Sequence, residues 1–298
     1  VQITVIAPYL GDYKLIGMVQ KKYFTEVVLL TKTYNLQDFK DWLHWHLNII
    51  GFQHAHIFDN ESSVDIKSVC DSYGGRVTYE RIKGWPNQYA LYNRYINNES
   101  PAWWVLPIDD DEFLYVSDKY KNNVNVFLLA NNKAHPDWCK VCVGWRNMFP
   151  LKFTEKRTNP HLILNATGWG DDCCARWQAG NKPVKTFVNT VYTYDWSDRD
   201  NQHRTHNPFV CGVDQPGYTV NGEPIAGSWQ SHNTFGDDDL ILFHYQYKTE
   251  SEWIYKCYHR VSAGAKTFNK CVPDRYRLLY RYAPKEDCRM KNLWQSHQ

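Results

Sequence analysis

The sequence lacks an excess of either charge: 34 Lys+Arg stand against 32 Asp+Glu, a net charge of +2. That balance gives no support for a nucleic-acid partner. No apolar run approaches the roughly 18 residues of a membrane-spanning helix, so no transmembrane segment is expected. Internal repeats, low-complexity tracts and Gly/Ser linkers are absent, as is a Gly-rich phosphate loop of the P-loop type. The nine cysteines include one pair at metal-ligand spacing, Cys139 and Cys142, and no second pair completes a zinc site. Their β-branched neighbours read as strand. At 298 residues the chain is too long for a small disulfide scaffold and long enough to bury a core without staples.

Aromatics are abundant at 16%, with 13 Trp and 21 Tyr, which suits either a Trp-rich core or a surface that stacks on sugars. Strand and helix signals alternate through the first half. Glu26–Tyr34 is an apolar run of the buried parallel kind. The spacing of Phe39, Trp42, Leu43, His46, Leu47 and Ile50 predicts a helix from about Gln37 to Ile50, with Gly51 as its C-cap. Strands are expected at His54–Asn60, Arg76–Ile82 and Ala102–Phe113, and helices at Asp65–Tyr73 and Gln88–Asn97. This β-α-β-α-β-α-β order predicts an α/β fold with a mostly parallel sheet flanked by helices. Ligands in such sheets bind at the carboxyl ends of the strands. Thr31–Lys32–Thr33, Asp59–Asn60–Glu61 and Asp109–Asp110–Asp111–Glu112 should therefore meet at one edge. Later strands at Val141–Phe149, Lys185–Tyr194 and Leu240–Tyr247, and a helix at Ser251–Arg260, are expected to extend the sheet and build an acceptor side.

The Asp109-Asp110-Asp111-Glu112-Phe113 run follows the apolar stretch WWVLPI. On an extended chain Asp109 and Asp111 share a face and can contact one Mn²⁺ or Mg²⁺ ion. With Lys32, Asp41-Trp42, His46, Gly51 and Phe58-Asp59-Asn60-Glu61-Ser62-Ser63-Val64-Asp65, this run resembles glycosyltransferases of the GT-A fold, and most closely the family-2-like and family-92-like group. His244-Tyr245-Gln246-Tyr247-Lys248-Thr249, then Glu252-Trp253 and Lys256, is similar to that group's C-terminal block. The resemblance covers about residues 25–115 and 240–265.

The resemblance implies a single GT-A-like domain over residues 1–298. Its nucleotide-sugar half would span about 25–115 and its acceptor half the rest. It also implies a metal-dependent transfer from a nucleoside-diphosphate sugar, with a UDP-sugar favoured, to a hydroxyl of a carbohydrate or glycoconjugate, with inversion. Asp59 would contact the nucleoside, Thr31, Lys32 and Gln88 would line the nucleotide, and Asp109, Asp110 and Lys248 would flank the diphosphate. Asp109, Asp111 and His244 would hold the metal. Gly168-Trp169-Gly170-Asp171-Asp172 is similar to acceptor loops of some inverting galactosyltransferases, which makes Asp172, or Asp171 beside it, the expected base. Asp237-Asp238-Asp239 reads instead as a solvated turn. Thr33-Tyr34-Asn35 departs from the Asn-Glu that often follows the first lysine, which leaves the donor sugar open. A nucleotidyl- or phosphoryl-transfer enzyme and a non-catalytic sugar-binding protein are the alternatives. Of the sequons at Asn60, Asn98 and Asn165, the first falls in the nucleotide segment, where a glycan would block the site. That points to a reducing, cytoplasmic setting, with a lumenal domain freed of an anchor as the alternative.

Overall fold

A computed structural model describes residues 20–84, 87–169, 183–197, 206–211, 216–225, 239–259 and 285–298. Four parallel strands form one side of its main sheet: β1 (Tyr23–Thr31), β2 (His54–Asp59), β3 (Val77–Arg81) and β4 (Ala102–Ile108), in the order β3-β2-β1-β4. The helices α1 (Leu36–His44), α2 (Ile66–Ser72) and α3 (Gln88–Arg94) connect them. This is the α/β class expected from the alternating pattern.

Several boundaries differ from the sequence reading: the strands expected over Lys185–Tyr194 and Leu240–Tyr247 end at Asn189 and His244, and two further differences shape the site. β1 ends at Thr31, because Asn35 already caps α1 by accepting from the Gln37 and Asp38 amides and Ser62 Oγ accepts from the Thr33 amide. The chain has to turn within those residues. Likewise Ala102–Phe113 is two strands. β4 stops at Ile108, the Glu112 amide donates to the Asp109 carbonyl, and β5 runs over Glu112–Val116. Asp109–Asp111 is therefore a turn, and the alternation that would put Asp109 and Asp111 on one face does not apply.

The second half continues the sheet, as expected. β6 (Lys140–Phe149) and β8 (Val184–Asn189) pair antiparallel, and β8 pairs antiparallel with β4. The two-residue strand β7 (Gly168–Trp169) sits on the far end of β6. A strand over Leu240–His244 inserts between β5, antiparallel, and β6, parallel. Its last residue, His244, lies opposite Glu112 on one side and Asn147 on the other. A helix over Glu250–His259 follows it, and a helix over Arg289–Gln295 comes last. Among the described residues, no helix is long and apolar enough to cross a membrane.

α1 passes into a π-helical turn at Trp45–Ile49, where the Ile50 amide reaches back to the Trp45 carbonyl. Gly51 ends it in the left-handed region at φ +87°, as its C-cap placement implies. Trp42, Trp45, Trp104 and Trp196 are fully buried, so much of the aromatic excess is core. Cys139 and Cys142 are buried thiols, Cys142 within β6.

Candidate functional site

The carboxyl ends of β1, β2 and β4 meet at one sheet edge. Thr31 Oγ1 donates to Asp110 Oδ2 at 2.6 Å, and the Thr31 carbonyl accepts from the Asn60 amide at 2.7 Å. Asp59 is buried at the same edge. Its Oδ1 accepts from the Ser62 amide at 2.8 Å, and its Oδ2 from Tyr79 Oη at 2.6 Å and Arg81 at 3.5 Å. A carboxylate has about four lone-pair positions, so one remains for a ligand donor. Lys32 is exposed beside this edge, and Gln88 at the start of α3 donates to Tyr92 Oη at 2.9 Å.

The acidic turn is held from behind by α1 and its π turn. Trp42 Nε1 donates to the carbonyls of Asp109 at 3.1 Å and Glu112 at 3.0 Å. Trp45 Nε1 donates to the Leu114 carbonyl at 2.6 Å. His46 Nδ1 donates to the Trp42 carbonyl at 2.8 Å while its Nε2 accepts from the Leu114 amide at 3.2 Å. Both ring nitrogens are thus occupied in a neutral tautomer, and complete burial lowers the imidazole pKa to about 3. Within the Asp-Trp…His spacing of the sequence, Trp42 and His46 brace the acidic turn, whereas Asp41 meets Gln37 and His161.

The acidic residues of the turn divide among three sets of partners, Asp109 and Glu112 sharing Lys185. Asp109 Oδ2 accepts from Lys185 Nζ at 3.1 Å. Burial would raise the Asp109 carboxyl, but the Lys185 ammonium outweighs it and the net shift is downward. Glu112 is fully buried and lies 3.6 Å from the same ammonium. There burial dominates the opposing lysine, and the carboxyl is raised well above the ordinary range. Asp110 takes the Thr31 hydroxyl. Asp111 Oδ1 lies 3.4 Å from His244 Nε2, and its Oδ2 accepts from Lys256 Nζ at 2.7 Å. His244 Nδ1 is 3.0 Å from Asn147 Oδ1. In the tautomer that donates there, Nε2 presents its lone pair toward Asp111.

That pair bears on the metal implied by the resemblance. Among the described residues, no group of three or more His, Cys, Asp or Glu is arranged to hold an ion. Asp111 and His244 nevertheless form a fitting half-site: a hard oxygen and a ring nitrogen facing each other across 3.4 Å, the ring oriented from its far nitrogen by Asn147. Asp109 does not join them, since its carboxylate is turned to Lys185. Lys248 is also engaged: its buried ammonium is ion-paired to Asp38, which Arg157 holds from its other side, and Arg157 in turn pairs with Glu252. Burial would raise Asp38, yet Lys248 and Arg157 together lower it. Asp171 and Asp172, like Asp237 and Asp238, lie outside the described residues. Asp239 accepts from Ser117 and Lys119 at 2.9 and 2.6 Å, a turn contact.

Lys185, Asn147, Arg157 and Asp38 were not singled out by sequence. No motif marks them, and their partners are remote in the chain. A cavity of about 640 Å³ is lined elsewhere, by Gln37, Lys40, Asp41, His44, His161 and Trp294 among others, and none of its lining residues belongs to the acidic turn.

No family model matches the chain, and no curated protein does. Among solved structures, S. aureus TarS 1–349 is similar at TM-score 0.33 and 11% identity, over 78% of this chain and 63% of that one. The same TarS segment in complex with UDP gives a TM-score of 0.31 and 12% identity, over 56% and 47%. The S. cerevisiae mannosyltransferase Ktr4p gives 0.28 and 16%, over 48% and 44%. Likenesses of this size carry no argument about the chain, whose α/β class rests on its own strand order.

The brace predicts a pH effect. The His46 pKa is lowered on folding, so its contribution is complete above the unfolded value of about 6.5 and declines as pH falls below it. Between pH 7 and 5.5 the parent should lose about 1 kcal/mol more unfolding free energy than His46→Gln, which keeps an acceptor for Leu114 but no titrating ring. Urea unfolding at both pH values measures this; equal losses would mean that His46 titrates normally in the folded protein.

Proposed function

We propose that the protein is a glycosyltransferase that moves a sugar from a nucleoside-diphosphate donor, a UDP-sugar, to a hydroxyl of a carbohydrate or glycoconjugate. The observation that carries this reading is the convergence at one sheet edge. Asp59 closes β2, Thr31 bonds Asp110 across the ends of β1 and β4, and Asp111 faces His244. A nucleoside at Asp59, with a diphosphate extending toward Asp111, matches the order in which the strands present these groups. Thr31 and Lys32 border that path, and Gln88 opens the helix that leads into β4.

Asp111 and His244 would hold a divalent cation, Mn²⁺ or Mg²⁺, with the donor's diphosphate and water completing its shell. Bound there, the cation would supply positive charge to the departing diphosphate. Asp109 and Asp110 shape the turn instead, through Lys185 and Thr31. Lys185 is committed to Asp109 and Glu112 and offsets the charge of the turn. We assign Lys248 a bracing role through Asp38 in place of the direct diphosphate contact expected from the resemblance, because that contact would require the buried pair to open.

Transfer with inversion requires a carboxylate near the acceptor. Asp172, with Asp171 as its neighbour, is the proposed base. It takes the acceptor hydroxyl's proton, the hydroxyl oxygen bonds to C1 of the sugar, and the C1–oxygen bond to the diphosphate breaks. Both halves of the chain would then act as one catalytic domain, β1–β4 binding the nucleotide and the later segments building the acceptor side.

A panel of nucleotide sugars incubated with Mn²⁺ tests the reading. Slow hydrolysis or transfer should release a nucleoside diphosphate, whereas pyrophosphate release would identify a nucleotidyltransferase, and no turnover with retained sugar binding a lectin-like protein. Asp111→Asn should abolish most Mn²⁺-dependent UDP binding by calorimetry while leaving the thermal transition within a few degrees; parental affinity would remove Asp111 from the site. Asp172→Asn should cut transfer by roughly 10²–10⁴-fold with donor binding nearly unchanged. Transfer within a few-fold of the parent would place the base elsewhere.

A further inference from the structure

Lys256 has no role in the reading above, yet it makes the shortest described contact to the Asp111 carboxylate. It arrives from a helix that is fixed independently, since Glu252 one turn earlier pairs with Arg157, which also clamps Asp38 on α1. Its ammonium lies 2.7 Å from Asp111 Oδ2, and the other oxygen, Oδ1, faces His244 Nε2 at 3.4 Å. Asp111 is 4% exposed and His244 6%, whereas the Lys256 side chain is 25% exposed and has a route to solvent.

We propose that Lys256 is a built-in competitor of the divalent cation at Asp111, and that it makes cation binding depend on the nucleotide. The proposal rests on the reading of Asp111 and His244 as the cation half-site. Asp111 supplies one negative charge, and Lys256 already cancels it. A divalent cation entering between Asp111 and His244 meets a neutralised carboxylate with a positive charge on its second oxygen. Repulsion across so short a distance in a buried setting is strong. A diphosphate brings negative charge of its own and can take the ammonium, which releases Asp111 to the cation. Cation and nucleotide then favour each other's binding, and by linkage each does so to the same degree.

Mn²⁺ binding to the parent, Lys256→Met and Lys256→Arg, followed by electron paramagnetic resonance with and without UDP, tests this without any turnover. Without UDP, Lys256→Met should bind Mn²⁺ about 10-fold more tightly than the parent, and Lys256→Arg, which keeps the charge, should behave as the parent. UDP should tighten Mn²⁺ binding to the parent several-fold more than to Lys256→Met. Equal Mn²⁺ affinity of parent and Lys256→Met without UDP would overturn the proposal, as would no Mn²⁺ binding to any of the three. If Lys256→Met gains affinity for Mn²⁺ but UDP binds none of the proteins, the competition at Asp111 stands, while its dependence on the nucleotide and the nucleotide-sugar reading both fall.

Discussion

The indole of Trp42 donates its single N–H to two carbonyls, Asp109 and Glu112, and the rest of the site depends on that bond. A run of four adjacent acidic residues would not settle into one conformation on electrostatic grounds, because each carboxylate repels its neighbours. The indole fixes the peptide backbone of the run without adding charge. His46 and Trp45 extend the grip to Leu114. Since this brace binds backbone, the Asp109, Asp110 and Asp111 side chains remain available to other elements, while Glu112 Oε2 accepts from the Asp109 amide within the turn. A buried polar network of this kind is costly when half satisfied. Here the indole, the imidazole and the carbonyls they meet are paired.

With the backbone set, the acidic side chains separate by partner. Asp110 goes to a hydroxyl on β1, Asp109 to Lys185 on β8, and Asp111 to His244 and Lys256. Glu112, with burial dominant, is pushed toward its neutral form. Repulsion is thereby relieved within the turn by one neutralised acid and two ammonium groups, with solvent reaching the partly exposed Asp109. Asp111 is the member whose surroundings suit exchange of one cation for another, because Lys256 is more exposed than Lys185.

The parallel half of the sheet was legible because β1 and β4 are apolar runs that end in polar residues, β2 and β3 are short strand-like segments between turn residues, and the connecting helices show three- and four-residue periodicity. The convergence of Thr31, Asp59 and Asp109–Asp111 followed from topology alone. The break at Asp109 did not, since an apolar strand followed by acids reads as continuous; the turn is closed by the Glu112 amide on the Asp109 carbonyl and by the Asp109 amide on Glu112 Oε2, and it is held by Trp42, 67 residues away. Likewise, Lys185 lies in an ordinary strand pattern, and its pairing with Asp109 spans 76 positions; Lys256 and Asp111 are 145 apart. Local pattern carries no record of such pairs. Lys248 shows the same limit. Its place in a matched block suggested a ligand contact, while tertiary packing gave its charge to Asp38, 210 positions earlier.

The central claim is that the sheet edge at Asp59 and Asp111 is a nucleotide-diphosphate site with a cation between Asp111 and His244. A crystal structure of the protein grown with UDP and Mn²⁺, phased to show anomalous signal from manganese, addresses it directly. The account predicts one manganese peak bridging Asp111 and His244, with the diphosphate against it and the nucleoside at Asp59. A nucleotide bound elsewhere, for instance in the cavity lined by Asp41, His161 and Trp294, with no manganese at Asp111, would contradict it.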